Sequence, residues 1–196
     1  GYHAFALIKR GDGSSGVYGW GLNDKGQLSA GTSTQGPFYA NCTYTPLAVT
    51  DASGAALAAP VEKVAAGYKH SLFLMGDNTK MVMGTGDNSS GQLGLQENGT
   101  AVKEFERLFE LRNEKDEYIS AVVDIAAGKN HTVILRGELS GIGDNAEVLA
   151  DNLTIWTAGD NTNGQLGLMD GTVNTSGGAP RQMTSYHGAE KIIKIT

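Results

Sequence analysis

The sequence predicts an all-β fold made of about three repeated four-stranded sheets, and three observations predict it. The phrase G-x-N-x-x-G-Q-L occurs at Gly21 to Leu28, Gly86 to Leu93 and Gly159 to Leu166, each time after a short apolar run. A histidine followed by alternating apolar residues recurs at His3, His70 and His131, 67 and 61 residues apart. Upstream of the last two, Val61-Glu-Lys-Val64-Ala-Ala and Val122-Val-Asp-Ile125-Ala-Ala lead into Gly67 and Gly128, and Ile192-Ile-Lys-Ile195 begins the phrase again. Self-similarity at a fixed period decides architecture before any single residue does.

The elements follow from one period. Its apolar stretches are short, alternate or are β-branched, and are bounded by Gly, Asp, Asn and Ser, which marks strands rather than helices. In the second period the spacing predicts strands over Glu62 to Ala66, His70 to Met75, Met81 to Thr85 and Phe105 to Leu111, with Gly76-Asp77-Asn78-Thr79 as a tight hairpin. Four strands per repeat is the unit of a β-propeller, in which sheets stack around an axis and bury apolar faces against their neighbours. The periods run over about 1–66, 67–127 and 128–196, a single repeat array.

The recurrent phrases have structural work to do. Gly21, Gly86 and Gly159, with Gly26, Gly91 and Gly164, allow positive φ or close backbone approach. Asn23, Asn88 and Asn161 can close Asx turns. Leu28, Leu93 and Leu166 are placed to plug the gap between blades, with Gln27, Gln92 and Gln165 beside them. His3, His70 and His131 are expected to bond a neighbouring backbone group inside the blade rather than a metal, because buried polar groups are satisfied as a rule.

These residues carry a resemblance. The G-x-N-x-x-G-Q-L-G phrase after Val17-Tyr-Gly-Trp20 or Ile155-Trp156, together with A-A-G-x-x-H-x-x-x-L, resembles the repeat of the RCC1 (regulator of chromosome condensation) family across the whole chain. Ser29 stands where Gly94 and Gly167 follow the pattern. The outer strand matches at Thr45-Pro46 and Ala179-Pro180, with Glu106 replacing proline in the middle repeat. The resemblance implies a seven-bladed ring, so three periods are expected to be a piece of a longer propeller; a homo-oligomer of three-blade pieces would need an unusual closure.

Composition excludes several classes. The 15 basic and 21 acidic residues give a net charge of −6, and no window gathers Lys and Arg as nucleic acid would require. No apolar run approaches the ~20 residues of a membrane helix. One cysteine, Cys42, forms no intrachain disulfide and fits a reducing compartment, cytoplasm or nucleus. The N-x-S/T sequons at Asn41, Asn88, Asn98, Asn130, Asn152 and Asn174 are taken as chance, since a glycan at Asn88 or Asn130 would obstruct the repeat. Arg10-Gly11-Asp12 reads as hairpin chemistry, and Asp160 to Gly164 lacks the bidentate Glu of a calcium loop. No catalytic set, cofactor motif or metal spacing emerges, so the chain is not expected to be an enzyme, to carry a cofactor or to bind a metal.

Recognition is then expected on loops. Three insertions stand out: Ala30 to Tyr44 with Phe38 and Tyr39, the mixed-charge stretch Gln96 to Tyr118, and Gly137 to Asn152, which is read as a loop lengthening a hairpin. The short turns between the repeat Gly and the repeat His should emerge together on one side of the ring, making Tyr2, Tyr68, Lys69, Lys129 and Asn130 the candidate partner-binding residues. The resemblance implies two functions. One is a protein-interaction scaffold for an unidentified protein partner; the alternative is a guanine-nucleotide exchange factor for a small Ran-like GTPase. The family's exchange factor uses acidic and histidine side chains in those turns and a Ser-Pro-Gly wedge, whereas the turns here hold none acidic and no Ser-Pro-Gly occurs. The scaffold reading is therefore preferred.

Overall fold

A computed structural model describes residues 1–29, 41–51, 53–57, 59–77, 80–94, 121–140, 147–168, 180–183 and 195. Among the described residues, ten strands form three antiparallel sheets. The first holds β1 (His3–Lys9), β2 (Ser15–Leu22) and β3 (Cys42–Ala48) in the order β1-β2-β3. The second holds β4 (Val61–Ala66), β5 (His70–Met75) and β6 (Val82–Gly86), in that order. The third has the order β7-β8-β9-β10, from β7 (Val122–Ala127), β8 (His131–Ser140), β9 (Glu147–Gly159) and β10 (Arg181–Gln182).

The predicted strands of the second period agree to within a residue at either end, and the fourth, Phe105 to Leu111, lies outside the described residues, as do Asn78 and Thr79 of the hairpin. Equivalent strands pair in equivalent register: His3 faces Gly21, His70 faces Gly86 and His131 faces Gly159. Pro46 sits in β3 at the outer margin of its sheet, where a missing N–H costs no ladder bond.

Side-chain alternation explains why the sheets stack. Every residue of β5 is buried, because its odd and even positions face different neighbours. Phe73 and Met75 join Val17, Val49 and Val61, with Phe5 and Leu7 of the first sheet packed against them. Leu72 and Leu74 join Leu93, Val122, Ile125, Ile134 and Trp156 on the other side. Phe5 meets Phe73 edge to face, with ring centroids 5.3 Å apart. Leu93 thus fills the seam between the second and third sheets, as expected of a plug; Leu28 and Leu166 are equally buried.

Two expectations are corrected. The segment Gly137 to Asn152 is not simply a loop: Glu138, Leu139 and Ser140 pair with Leu149, Val148 and Glu147, so β8 and β9 carry the hairpin ladder into the insertion past an irregularity after Arg136. The motif asparagines reach further than an Asx turn. Asn23, Asn88 and Asn161 Oδ1 accept the amide of the leucine five residues on, at 2.8 to 2.9 Å. The two-residue contact belongs instead to the preceding aspartates, where Asp87 takes the Ser89 amide and Asp160 the Thr162 amide.

Ser29, the departure from the glycine pattern, adopts the same left-handed conformation at φ 45°, and its hydroxyl donates to the Thr50 carbonyl at 3.1 Å. Arg10 to Ser14 closes the β1–β2 hairpin as read, with Arg10 N bonded to Ser14 O. Asn88 is fully buried, which leaves no room for a glycan.

Candidate functional site

Two features of each repeat converge on the junction between neighbouring blades: the motif turn, and the Gly-to-His turn that lies above it. The motif turn is closed internally. Gln27, Gln92 and Gln165 each fold back so that Oε1 accepts the amide two residues earlier, at 2.8 Å. The first glycine of each motif has φ between 101° and 115°, and a Cβ there would lie 2.3 Å from the carbonyl oxygen of Tyr2, Lys69 or Asn130. That approach is used: the same carbonyls accept the amides of Leu22, Asp87 and Asp160. The motif therefore fixes where the residues of the Gly-to-His turn stand.

The repeat histidines join blades to one another. His3 Nε2 lies 2.8 Å from Ser71 Oγ of the next blade, and that hydroxyl lies 2.8 Å from the Gln27 carbonyl. One period on, His70 Nε2 lies 3.2 Å from Thr132 Oγ1, which lies 2.6 Å from the Gln92 carbonyl. A carbonyl only accepts, so each hydroxyl donates to it, and each imidazole supplies its own Nε2–H to the hydroxyl oxygen. The partner is thus a side chain of the following blade, not a backbone group of the same blade as the sequence led us to expect. The signal was present as a hydroxyl residue after the histidine, Ser71 and Thr132, with Ala4 in the first repeat.

This geometry keeps the histidines neutral. Burial brings the His3 pKa down to about 4. Burial, reinforced by His3 and His131, brings His70 to about 3. Burial also lowers His131. The Nδ1 atoms of His3 and His70 are buried with no hydrogen-bond partner among the described residues, and Gly67 lies so close to the His70 ring that a Cβ would sit 2.2 Å from Cε1. A proton on Nδ1 would be a buried, unanswered charge. No group of three or more His, Cys, Asp or Glu side chains suited to a metal occurs among the described residues.

Three of the predicted recognition residues meet one another. Tyr2 is 69% exposed, and its ring meets that of Tyr68 at 5.7 Å between centroids. Lys129 Nζ stands 5.7 Å from the Tyr68 ring centroid, within cation–π range. Tyr2, Tyr68 and Lys129 therefore form a row across three successive blades. Lys69 is not free in this row. Its ammonium pairs with Asp24 of the preceding blade at 2.5 Å; that bond raises the Lys69 pKa, and against its own burial Asp24 is held below the usual carboxylate range by Lys69 and Gln27. Asn130 spends its carbonyl on Asp160. Phe38 and Tyr39 lie outside the described residues. A second ion pair, Lys63 with Asp124, ties β4 to β7.

Sheets of this kind, joined edge over face by a repeated turn and a repeated histidine, define a β-propeller repeat protein. Residues 14–74 and 61–92 match the sequence profiles of the regulator of chromosome condensation (RCC1) repeat, so this part of the chain is built of RCC1 repeats. It is 34% identical over 168 residues to a human protein named Probable E3 ubiquitin-protein ligase HERC6, an alignment covering 85% of this chain and 13% of that one. Among solved structures it is similar to human WBSCR16, with TM-score 0.59 and 24% identity, over 92% of this chain and 37% of that one. Yeast RCC1 (Prp20), solved bound to Kap60, gives TM-score 0.61 at 15% identity over 92% of this chain and 35% of that one. Prp20p from Saccharomyces cerevisiae, described with its binding to Gsp1p and histones, gives 0.55 at 18% over 94% and 36%. At these identities the structures establish the fold alone, and the chain spans little more than a third of their length at most. No helix among the described residues is long and apolar enough to cross a membrane.

Proposed function

We propose that this chain is a non-catalytic protein-binding segment of an RCC1-like propeller, presenting Tyr2, Tyr68 and Lys129 to a protein partner, with Lys69 and Asn130 holding the turns that display them. The observation that carries the reading is the row itself. Successive blades place an exposed tyrosine, a second tyrosine and an exposed lysine in contact on one face, although the folded core uses none of the three side chains. Tyrosine gives large contact area at low conformational cost, which is why interfaces favour it. The same reading takes the three sheets as consecutive blades of a longer ring, in keeping with the 35 to 37% of the similar solved chains that they cover.

The exchange-factor alternative draws on the likeness to Prp20p, whose structure is described with binding to Gsp1p. The chemistry of the turns counts against it in this segment, because Tyr2, Tyr68, Lys69, Lys129 and Asn130 offer no carboxylate side chain. The test is affinity capture with the full-length protein, comparing wild type with Tyr68→Ala/Lys129→Ala at equal melting temperature, with and without nucleotide removal. A partner lost on substitution and indifferent to nucleotide supports the scaffold. A GTPase retained only when stripped of nucleotide overturns it in favour of exchange activity, and an unchanged set of partners removes the row from the interface.

A further inference from the structure

The opposite end of the first sheet holds a cavity that the repeat architecture does not account for. It has a volume of about 290 Å³ and lies between the start of β2, the residues after β3 and the approach to β4. Its floor is the core shared by the first two blades: Val17, Val49 and Val61 are buried, and Leu57 packs on them. Such a floor offers apolar contact to a ligand body, and the volume is at the small end of ligand sites, which run from roughly 300 Å³ upward.

Its wall carries the polar side chains of Arg10, Ser15, Tyr18 and Thr50, and the Thr50 hydroxyl already donates to the Ser29 carbonyl. Arg10 opens the β1–β2 turn, and its guanidinium folds back over the backbone of Gly16, where a Cβ would come within 3.2 Å of Nη2. Among the described residues no carboxylate bonds this guanidinium. The Asp12 carboxylate close by accepts the Ser14 amide at 2.9 Å instead. Ser15 Oγ accepts the Val61 amide at 2.7 Å, which leaves its own hydrogen to donate toward the cavity. The site therefore presents a planar cationic fork with the Ser15 hydroxyl beside it above an apolar floor, on a chain of net charge −6.

We propose that this cavity binds a small organic carboxylate with an aliphatic body, the carboxylate held by Arg10 and Ser15 and the body lying on Val17, Val49, Leu57 and Val61. The fork geometry of arginine matches two carboxylate oxygens. One guanidinium balances one negative charge, whereas a phosphate dianion would be left under-neutralised within an acidic protein. Nothing in this site depends on the turn face, and the two can fail separately.

The test titrates octanoate and octanamide into the purified full-length protein and follows valine methyl resonances by NMR. The expected result is saturable octanoate binding that shifts Val17, Val49 and Val61, with roughly tenfold or greater weakening for octanamide and for Arg10→Gln, as loss of a charge-assisted bond implies. Arg10 is exposed, so Arg10→Gln should keep the wild-type melting temperature, and Arg10→Lys should bind with intermediate strength. Absence of saturation, equal binding of octanamide, or unchanged binding by Arg10→Gln would overturn the proposal.

Discussion

Replacing Thr132 with valine removes one oxygen from the seam between the second and third blades and almost nothing else. Valine has nearly the same shape, so apolar burial is kept and no cavity opens. What is lost is the acceptor for His70 Nε2–H and the donor to the Gln92 carbonyl, both inside a junction where His70, Gln92 and Thr132 are at most 2% exposed. A buried polar group left without its partner costs about 1–3 kcal/mol. The 3.2 Å histidine contact is the weaker of the two, which puts the pair near 3 kcal/mol, or about 150-fold in the unfolding equilibrium. Thr132→Ser keeps the hydroxyl and gives up one methyl, for about 1 kcal/mol. Urea unfolding of the chain, read from the fluorescence of Trp156 in the cluster beside this seam, measures both by linear extrapolation. If Thr132→Val matched wild type to within about 0.5 kcal/mol, or Thr132→Ser proved the worse variant, the hydroxyl bridge would not hold the blades together and the reasoning would be refuted.

Other outcomes follow from the same packing. Because the folded pKa values of His3 and His70 are lowered to about 4 and about 3, their neutral forms stabilise the fold fully above the unfolded value near 6.5 and progressively less as pH falls below it. The unfolding free energy should be level above pH 7 and fall between pH 6 and 4 with a slope approaching about 1.4 kcal/mol per unit for each histidine; a flat profile would contradict this. Leu93→Ala should cost about 2–5 kcal/mol in the same urea assay, since the side chain is buried between blades, and an unchanged midpoint would remove it from the seam. Gly67→Ala should cost about 1–3 kcal/mol, because its Cβ meets both the buried His70 ring and, at 2.8 Å, the Gly128 carbonyl; a neutral result in thermal melts would show that the ring has room to move.

The strands and their stacking were legible because they rest on periodicity and local turn chemistry. His70 to Met75 could be bounded to the residue, since Gly67-Tyr68-Lys69 before it and Gly76-Asp77 after it are turn residues and the run between is apolar. The hydroxyl after the repeat histidine was visible in the sequence, but the bridges it makes were not, because Ser71 and Thr132 find their partners 40 to 68 residues away. The extension of β8 and β9 was hidden for another reason. Ladder bonds are made by backbone, which every residue carries, so Glu138 to Ser140 could pair without an apolar signature. In the candidate site, alignment of the repeats placed Tyr2, Tyr68 and Lys129 on a common face, but the diversion of Lys69 to Asp24 depended on the angle between blades, which no single repeat encodes.

The spacing of the bridges also sets a clock on synthesis. His3 waits for Ser71, 68 residues behind it, and His70 waits for Thr132, 62 residues behind. At about 5–20 residues per second a ribosome makes that stretch in roughly 3 to 14 seconds, during which the leading sheet holds an unanswered imidazole and an uncovered apolar flank. Each newly emerged sheet is therefore the chaperone of the one before it, and the trailing edge of the nascent chain is the part most exposed to misassociation.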